Sequence, residues 1–298
     1  MQPPPASAAS GAPALEAEVE PAIEFGWEAE PEGEPEAQPP RPEAVPTAVD
    51  THCHLFLMDK DCGDLLAEAR AAGVGRFICV GIDPETSRRS LVLAESFQGV
   101  FATAGIHPHS ASEFDRLPGS MIEELLADPL VVAVGETGLD YYRRLSDPED
   151  QRRAFRSHIA LSRESGKPLV VHVRDAWHDA LAILEEERAE RVVLHCFTGD
   201  ENIAAEAGAR GYFLSFSGNL TYPNAEQIRR AAAAADGSRI VVETDSPFLP
   251  PQALRGTENR PANVLAVLRG LAEVRGLNLH ETIAATTRSA HLAFPLIP

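Results

Sequence analysis

Beyond Val49 the chain alternates short apolar runs rich in β-branched residues with longer stretches in which apolar residues recur every three or four positions. The short runs read as strands and the longer ones as amphipathic helices. The runs end in Asp50-Thr-His-Cys-His54, Phe77-Ile-Cys-Val-Gly81, Thr103-Ala-Gly-Ile-His107, Val132-Ala-Val-Gly-Glu136, Leu169-Val-Val-His172, Val192-Val-Leu-His195, Phe213-Leu-Ser-Phe-Ser217 and Ile240-Val-Val-Glu-Thr-Asp245. Between them the helical pattern predicts segments such as 64–72, 148–165, 176–188, 202–209 and 225–235, with 263–275 as a closing helix. Strands alternating with helices in this way imply a parallel sheet. Eight such units in about 250 residues predict an α/β fold of the (β/α)8 TIM-barrel type.

The pattern has one persistent irregularity, which is that the apolar runs end in acids and imidazoles. His52 and His54 end the first, Glu136 the fourth, His172 the fifth, His195 the sixth and Asp245 the eighth. One buried histidine is commonly a satisfied core residue. Five runs with such ends are hard to explain by packing, because each would bury a polar group needing its own partner. In a barrel these ends converge around the axis at the face that carries active sites. An open sheet would set them in a line, so site and fold support each other.

The residue types fit a pair of divalent ions. In His52-Cys53-His54 the strand period of two turns both imidazoles to one side, where they chelate one ion. Glu136 has two carboxylate oxygens and can bridge ions about 3.5 to 4 Å apart, as two-metal hydrolases require. His172 and His195 complete the second ion. Nitrogen with oxygen ligation suits zinc, manganese or iron, and magnesium less well. Asp245 ligates the first ion and is placed to accept a proton from a water activated by the ions, so no serine or cysteine nucleophile is needed. His107 is assigned to substrate, as a phosphate donor or near the leaving group, against a structural role. Arg143 and Arg174 lie in loops over the same face and are expected to bind phosphate, the alternative being surface ion pairs. Thr198-Gly199, Ser217-Gly218-Asn219 and Ser246-Pro247 suit backbone contacts to substrate. His158, His178 and His291 fall in helical stretches and are read as structural.

The first 47 residues are different. They are rich in Pro, Glu and Ala, with Arg41 the only basic residue, and are expected to be a disordered acidic tail before a hydrolase domain over 48–298. Ala22 to Trp27 is read as an incidental aromatic stretch more readily than as a partner-binding element. The net charge of −19 argues against non-specific binding to long duplex DNA. It leaves room for a nucleic-acid substrate, since bound ions and a few arginines dominate the local field. No stretch resembles a membrane span or a secretory signal, and a cytoplasmic location is expected. The cysteines Cys53, Cys62, Cys79 and Cys196 have no framework spacing and are expected to be reduced. Cys53 and Cys196 each neighbour a proposed ligand but should point away from the ions.

Seven motifs in order closely resemble the TatD family of metal-dependent deoxyribonucleases, within the amidohydrolase-like barrels. They are Asp50-Thr-His-Cys-His54, Gly105-Ile-His-Pro-His109, Gly135-Glu-Thr-Gly-Leu-Asp-Tyr-Tyr142, Pro168-Leu-Val-Val-His172, His195-Cys-Phe-Thr-Gly199, Ser215-Phe-Ser-Gly218 and Glu243-Thr-Asp-Ser-Pro247, within residues 49 to 294. The resemblance implies that His52, His54, Glu136 and Asp245 hold one ion and that Glu136, His172 and His195 hold the other. It also implies hydrolysis of DNA phosphodiesters, often from a 3′ end, with Asp245 in the catalytic role. Three departures concern substrate choice more than catalysis. Asn259-Arg260-Pro261 replaces the family's Asn-Glu-Pro, the usual Asn before the final Phe is missing ahead of Phe294, and the acidic tail lies outside the family core.

The leading expectation is therefore a two-metal nuclease, using magnesium, manganese or zinc, on single-stranded DNA or 3′ ends. No membrane and no stable partner are expected, and any partner of the tail is left open. The alternative is an amidohydrolase or esterase acting on a carbonyl, such as an aminoacyl-RNA ester or a small amide or lactone. Many such relatives bridge their ions with a carboxylated lysine at the end of strand four, where this chain has Glu136. Its only lysines, Lys60 and Lys167, are not at strand ends. A scaffold with a relic barrel would predict damaged ligands, and none is seen.

Overall fold

The computed structural model describes residues 47–116 and 120–294, so the acidic tail expected over residues 1–47 lies, but for Thr47, outside the described residues. Eight strands pair in parallel in chain order: β1 Ala48–Cys53, β2 Val74–Val80, β3 Val100–Ala104, β4 Val131–Asp140, β5 Leu169–Arg174, β6 Val192–Leu194, β7 Phe213–Phe216 and β8 Ile240–Val242. The helices are α1 Cys62–Ala71, α2 Pro84–Ser96, α3 Ser120–Leu126, α4 Pro148–Ser165, α5 Trp177–Glu186, α6 Glu201–Ala209, α7 Glu226–Ala234, α8 Val264–Arg275 and α9 Leu279–Ala293. No described helix is long and apolar enough to cross a membrane.

The sheet closes on itself. Cys53 bridges Ser246 in parallel, the His54 N–H donates to the Ser246 carbonyl at 2.7 Å, and the Asp245 N–H donates to the His52 carbonyl at 2.9 Å. A buried side chain reinforces the seam, since Asp50 accepts from the Thr244 N–H at 2.8 Å and its hydroxyl at 2.6 Å. This is the (β/α)8 barrel that the sequence predicts.

Strand alternation divides each run between two cores. Phe77, Cys79, Val171, Leu194 and Leu214 join the large cluster under the helices, whereas Ile78, Phe101, Val170, Val193, Phe213 and Val241 form a second cluster in the barrel interior. Two residues further along the same interior face stand Thr103, His172, His195, Ser215 and Glu243. The interior is thus apolar at its base and polar one layer up. Ala290, Ala293 and Phe294 of the C-terminal helix join the lower cluster and plug that end. The segment 263–275 is therefore not the closing helix, because α9 follows it and packs against the bottom of the barrel.

Local signals set the helix limits. In α4 the Asp147 side chain accepts from the Glu149 N–H at 2.9 Å, Pro148 takes the first turn, and Gly166 ends the helix at φ +66. Its limits are those the sequence pattern predicts. Helices α2, α3 and α9 are additions to that pattern.

Candidate metal centre

Glu136 lies within β4, not at its end, because the strand continues to Asp140. Between Val134 and Thr137, β4 advances three residues while β5 advances two, from Leu169 to Val171, which is a bulge centred on Glu136. A bulge of this kind re-aims a side chain. Gly135 and Gly138 flank it, both at φ +134, and a Cβ on Gly138 would collide with the His172 carbonyl. The glycines are therefore needed for the approach of β4 to β5.

The bulge puts one carboxylate between two sets of imidazoles. Glu136 Oε2 is 3.4 Å from His52 Nε2 and 3.9 Å from His54 Nε2, and the Asp245 Oδ1 atom is 3.8 and 3.5 Å from the same two nitrogens. Glu136 Oε1 is 3.0 Å from both His172 Nδ1 and His195 Nε2, and 3.4 Å from His107 Nε2. The structure thus brings His52, His54, Glu136, His172, His195 and Asp245 together, with His107 beside them. Donor groups of His52, His54 and Glu136, and of His107, Glu136 and His172, lie within 4.8 Å of one another and could hold an ion.

Tautomers decide what the cluster wants. The His54 Nδ1–H donates to the Val80 carbonyl at 2.8 Å, and His195 Nδ1–H donates to Glu243 Oε1 at 3.1 Å. In the neutral rings both Nε2 atoms are then lone pairs, and they face carboxylate oxygens. Lone pairs facing lone pairs need a positive charge between them, and either a bound ion or a ring proton supplies it. The spacing agrees, since ligands about 2.0 to 2.1 Å from a tetrahedral ion stand about 3.3 Å apart. The residues therefore fit divalent ions.

His107 is different. Its Nδ1 accepts the His109 N–H at 3.1 Å, so Nε2 carries the proton and points at Glu136 Oε1. Burial pushes its pKa down to about 4, which keeps the ring neutral. It is built as a donor more than as a ligand.

The charges are balanced locally. Burial works against ionisation of Glu136, but His195, His107 and His52 outweigh it and hold the carboxyl well below its usual range. Burial likewise opposes the Asp245 carboxylate, and the hydrogen bond with His54 and the charges of His195 and His52 bring it down. His195 moves the other way. Burial would lower it, but Glu136 and Glu243 raise it well above its ordinary value. Asp245 itself is held at φ +56, in the left-handed region that a non-glycine residue rarely adopts.

Two acids that the sequence reading did not single out support the ring of imidazoles. Glu243 is buried, accepting from His195, from the Cys196 N–H at 2.8 Å and from the Ser215 hydroxyl at 2.5 Å. Asp140 accepts from His109 Nε2 at 2.8 Å and the Arg143 N–H at 2.7 Å, and lies 3.4 Å from His172 Nε2. The available signal was the spacing of two in Glu243-Thr-Asp245 and the acid closing Glu136-Thr-Gly-Leu-Asp140.

The remaining predicted residues divide. Arg174 is exposed, with its guanidinium 4.0 Å over the Tyr142 ring, and the Arg143 side chain is exposed in the same β4 loop. Ser217, Asn219 and Ser246 are buried, and Ser217 donates to Asn219 at 3.0 Å. Cys53 turns to the Ile78 carbonyl and Cys196 to the Ser217 hydroxyl, so neither enters the cluster. Arg260, the departure from the family acid, pairs with Glu68 at 3.4 Å, while the neighbouring Asn259 is fully buried.

A family model described as TatD related DNase matches residues 49–295. The chain belongs to that family. It is a metal-dependent hydrolase, and named relatives agree. It is 40% identical over 246 residues to the uncharacterized metal-dependent hydrolase YcfH of Escherichia coli (strain K12), covering 80% of this chain and 92% of YcfH. It is 34% identical over 225 residues to the 3′-5′ ssDNA/RNA exonuclease TatD of Cronobacter sakazakii, covering 73% of this chain and 86% of that protein. Among solved structures, the TatD homolog YjjV from Escherichia coli K12 superposes with a TM-score of 0.75 at 29% identity, covering 85% of this chain and 99% of YjjV.

Proposed function

We propose that this TatD-family hydrolase is a two-metal deoxyribonuclease that removes nucleotides from the 3′ end of single-stranded DNA. The observation that carries the reading is Glu136, whose two oxygens each face a separate set of imidazole nitrogens. In this reading His52, His54, Glu136 and Asp245 hold one divalent ion, and Glu136, His172 and His195 the second. Such a pair would polarise the phosphoryl group and bring the pKa of an attacking water into the neutral range.

The protein's own residues do the rest. Asp245, held as a carboxylate at the seam of the barrel, receives the proton of the attacking water. His107 donates its Nε2–H to a phosphoryl oxygen, because its other nitrogen is committed to the His109 N–H. Arg174, oriented by its stack on Tyr142, and Arg143 bind the flanking phosphate. The exonuclease named among the relatives supports the choice of a nucleic-acid end. The free thiols of Cys53, Cys62, Cys79 and Cys196 support a reducing, cytoplasmic setting.

The test is cleavage of a 5′-labelled single-stranded DNA by metal-stripped protein refilled in turn with magnesium, manganese and zinc. A ladder shortening from the 3′ end, lost in Glu136→Ala and in Asp245→Ala while both variants keep the wild-type circular dichroism, is the expected result. Absence of any product with two ions bound per chain would move the reaction to a carbonyl substrate.

A further inference from the structure

The rim of the candidate site is apolar in a way the rest of the surface is not. Seven large hydrophobic side chains are exposed among the described residues, and four of them, Leu57, Tyr142, Leu145 and Phe248, stand in loops that follow β1, β4 and β8 at the active-site face. Strands β4 and β8 are opposite in an eight-stranded ring, so aromatic groups flank the mouth on both sides. Solvent-exposed aromatic rings beside a metal centre are out of place as packing, since 51% of Phe248 faces water.

Phe248 is the one joined most directly to the chemistry. Its ring meets the His54 ring edge-on at 6.0 Å between centroids. The loop that presents it is pinned. The Phe248 N–H donates to the Asp245 carbonyl at 2.8 Å, and its own carbonyl accepts from buried Asn259 Nδ2 at 2.6 Å. The same Asn259 amide also donates to the Thr244 carbonyl at 2.8 Å, and Asn263 donates to Asn259 Oδ1 at 2.9 Å. A Cβ on Gly218 would strike the Leu249 carbonyl, so the loop has no room to shift towards β7. The ring is therefore held in place and half in water, directly beside the His54 imidazole.

We propose that Phe248 is the stacking platform for the 3′-terminal base, the one released when the scissile phosphodiester is cleaved. The proposal rests on the nuclease reading and deepens it. A chain with net charge −19 gains little from non-specific charge attraction to single-stranded DNA. An aromatic face binds any base without charge, which suits an enzyme that removes nucleotides whatever their sequence. Arg174 on Tyr142 then serves the phosphate on the opposite side of the mouth.

The test uses the metal-loaded full chain and two oligonucleotides that differ only at the 3′ terminal nucleotide, one with its base and one abasic. Each is measured for cleavage and, with a phosphorothioate terminal linkage, for Kd by anisotropy. Phe248→Ala should raise KM and Kd for the normal end by about tenfold and leave the abasic end within twofold. Phe248→Trp should keep wild-type values. Phe248→Leu, which preserves the apolar contact with His54 but has no ring, should behave as Phe248→Ala does. An equal loss on both ends, or no loss on either, would overturn the stacking role. Wild-type protein that shortens neither oligonucleotide would overturn the nuclease reading, and this proposal with it.

Discussion

At the scale of single residues, the candidate centre depends on groups that stand behind the proposed ligands. Glu243 fixes which nitrogen of His195 carries the proton, and its three buried hydrogen bonds fix Glu243 in turn. Removing the charge while keeping the shape isolates that role. Glu243→Gln still accepts the His195 Nδ1–H, but it no longer makes the imidazole more basic. Carboxylates behind metal-ligating histidines typically account for 10-fold to 100-fold in metal affinity or activity. The expected result is a loss of about that size in zinc affinity, measured by competition with a chelating dye, with the melting temperature of the metal-free protein little changed. Unchanged affinity would make Glu243 a purely structural acid.

At the scale of elements, α4 reaches through to the end of β3. His158 on α4 is fully buried, donates from Nδ1 to the Ala154 carbonyl at 2.7 Å, and accepts the Ile106 N–H at Nε2 at 3.0 Å. Only the neutral ring can do both, and burial pushes its pKa down to about 4. Unfolded, the ring takes up a proton near pH 6.5, so the native state loses stability relative to the unfolded chain as pH falls from 6.5 to about 4. Below that the native ring protonates as well and the penalty stops growing. The full difference is about 3 kcal/mol. His158→Gln can make the same two hydrogen bonds without titrating. Its urea stability relative to wild type should therefore rise by about 3 kcal/mol between pH 7 and pH 4, and a constant offset would show that His158 carries no such linkage. His158 was legible as structural because it sits inside the periodic pattern of α4. Helices α2 and α9 were not, and the reason is physical. Their buried faces are largely small or hydroxyl-bearing, with Thr86, Ser87, Ser90 and Ala94 in α2 and Thr282, Thr286, Ser289, Ala290 and Ala293 in α9. Such faces carry little apolar periodicity. The strands were legible because both of their faces are buried, and the proposed ligands because each interrupts an apolar run. Asp140 and Glu243 act through other residues, and their roles appear only once the barrel brings β4, β5, β6 and β8 together.

At the scale of the whole molecule, charge is the quantity that separates this chain from a typical DNA-binding protein. The net charge is −19, and residues 1–46 contribute about half of it, with ten glutamates against the single Arg41. On the nuclease reading, a polyanionic substrate would be repelled by the sum and attracted by exposed arginines at or beyond the strand ends, Arg143 after β4, Arg174 at the end of β5 and Arg255 after β8. Three phosphate contacts to a single strand would give a log–log slope of affinity on salt of about −2. Long-range repulsion acts in the opposite sense, because salt screens it over about 10 Å at 0.1 M. The full chain should therefore show a slope shallower than about −2 for single-stranded DNA. A chain that begins at Thr47 should bind more tightly at low salt and lose affinity more steeply, so that the two converge as salt rises. Titrations by anisotropy from 20 to 500 mM salt at fixed metal measure both slopes. A full chain with the steeper slope would show that the acidic segment does not oppose the substrate, and that binding at the mouth involves more cations than these three arginines.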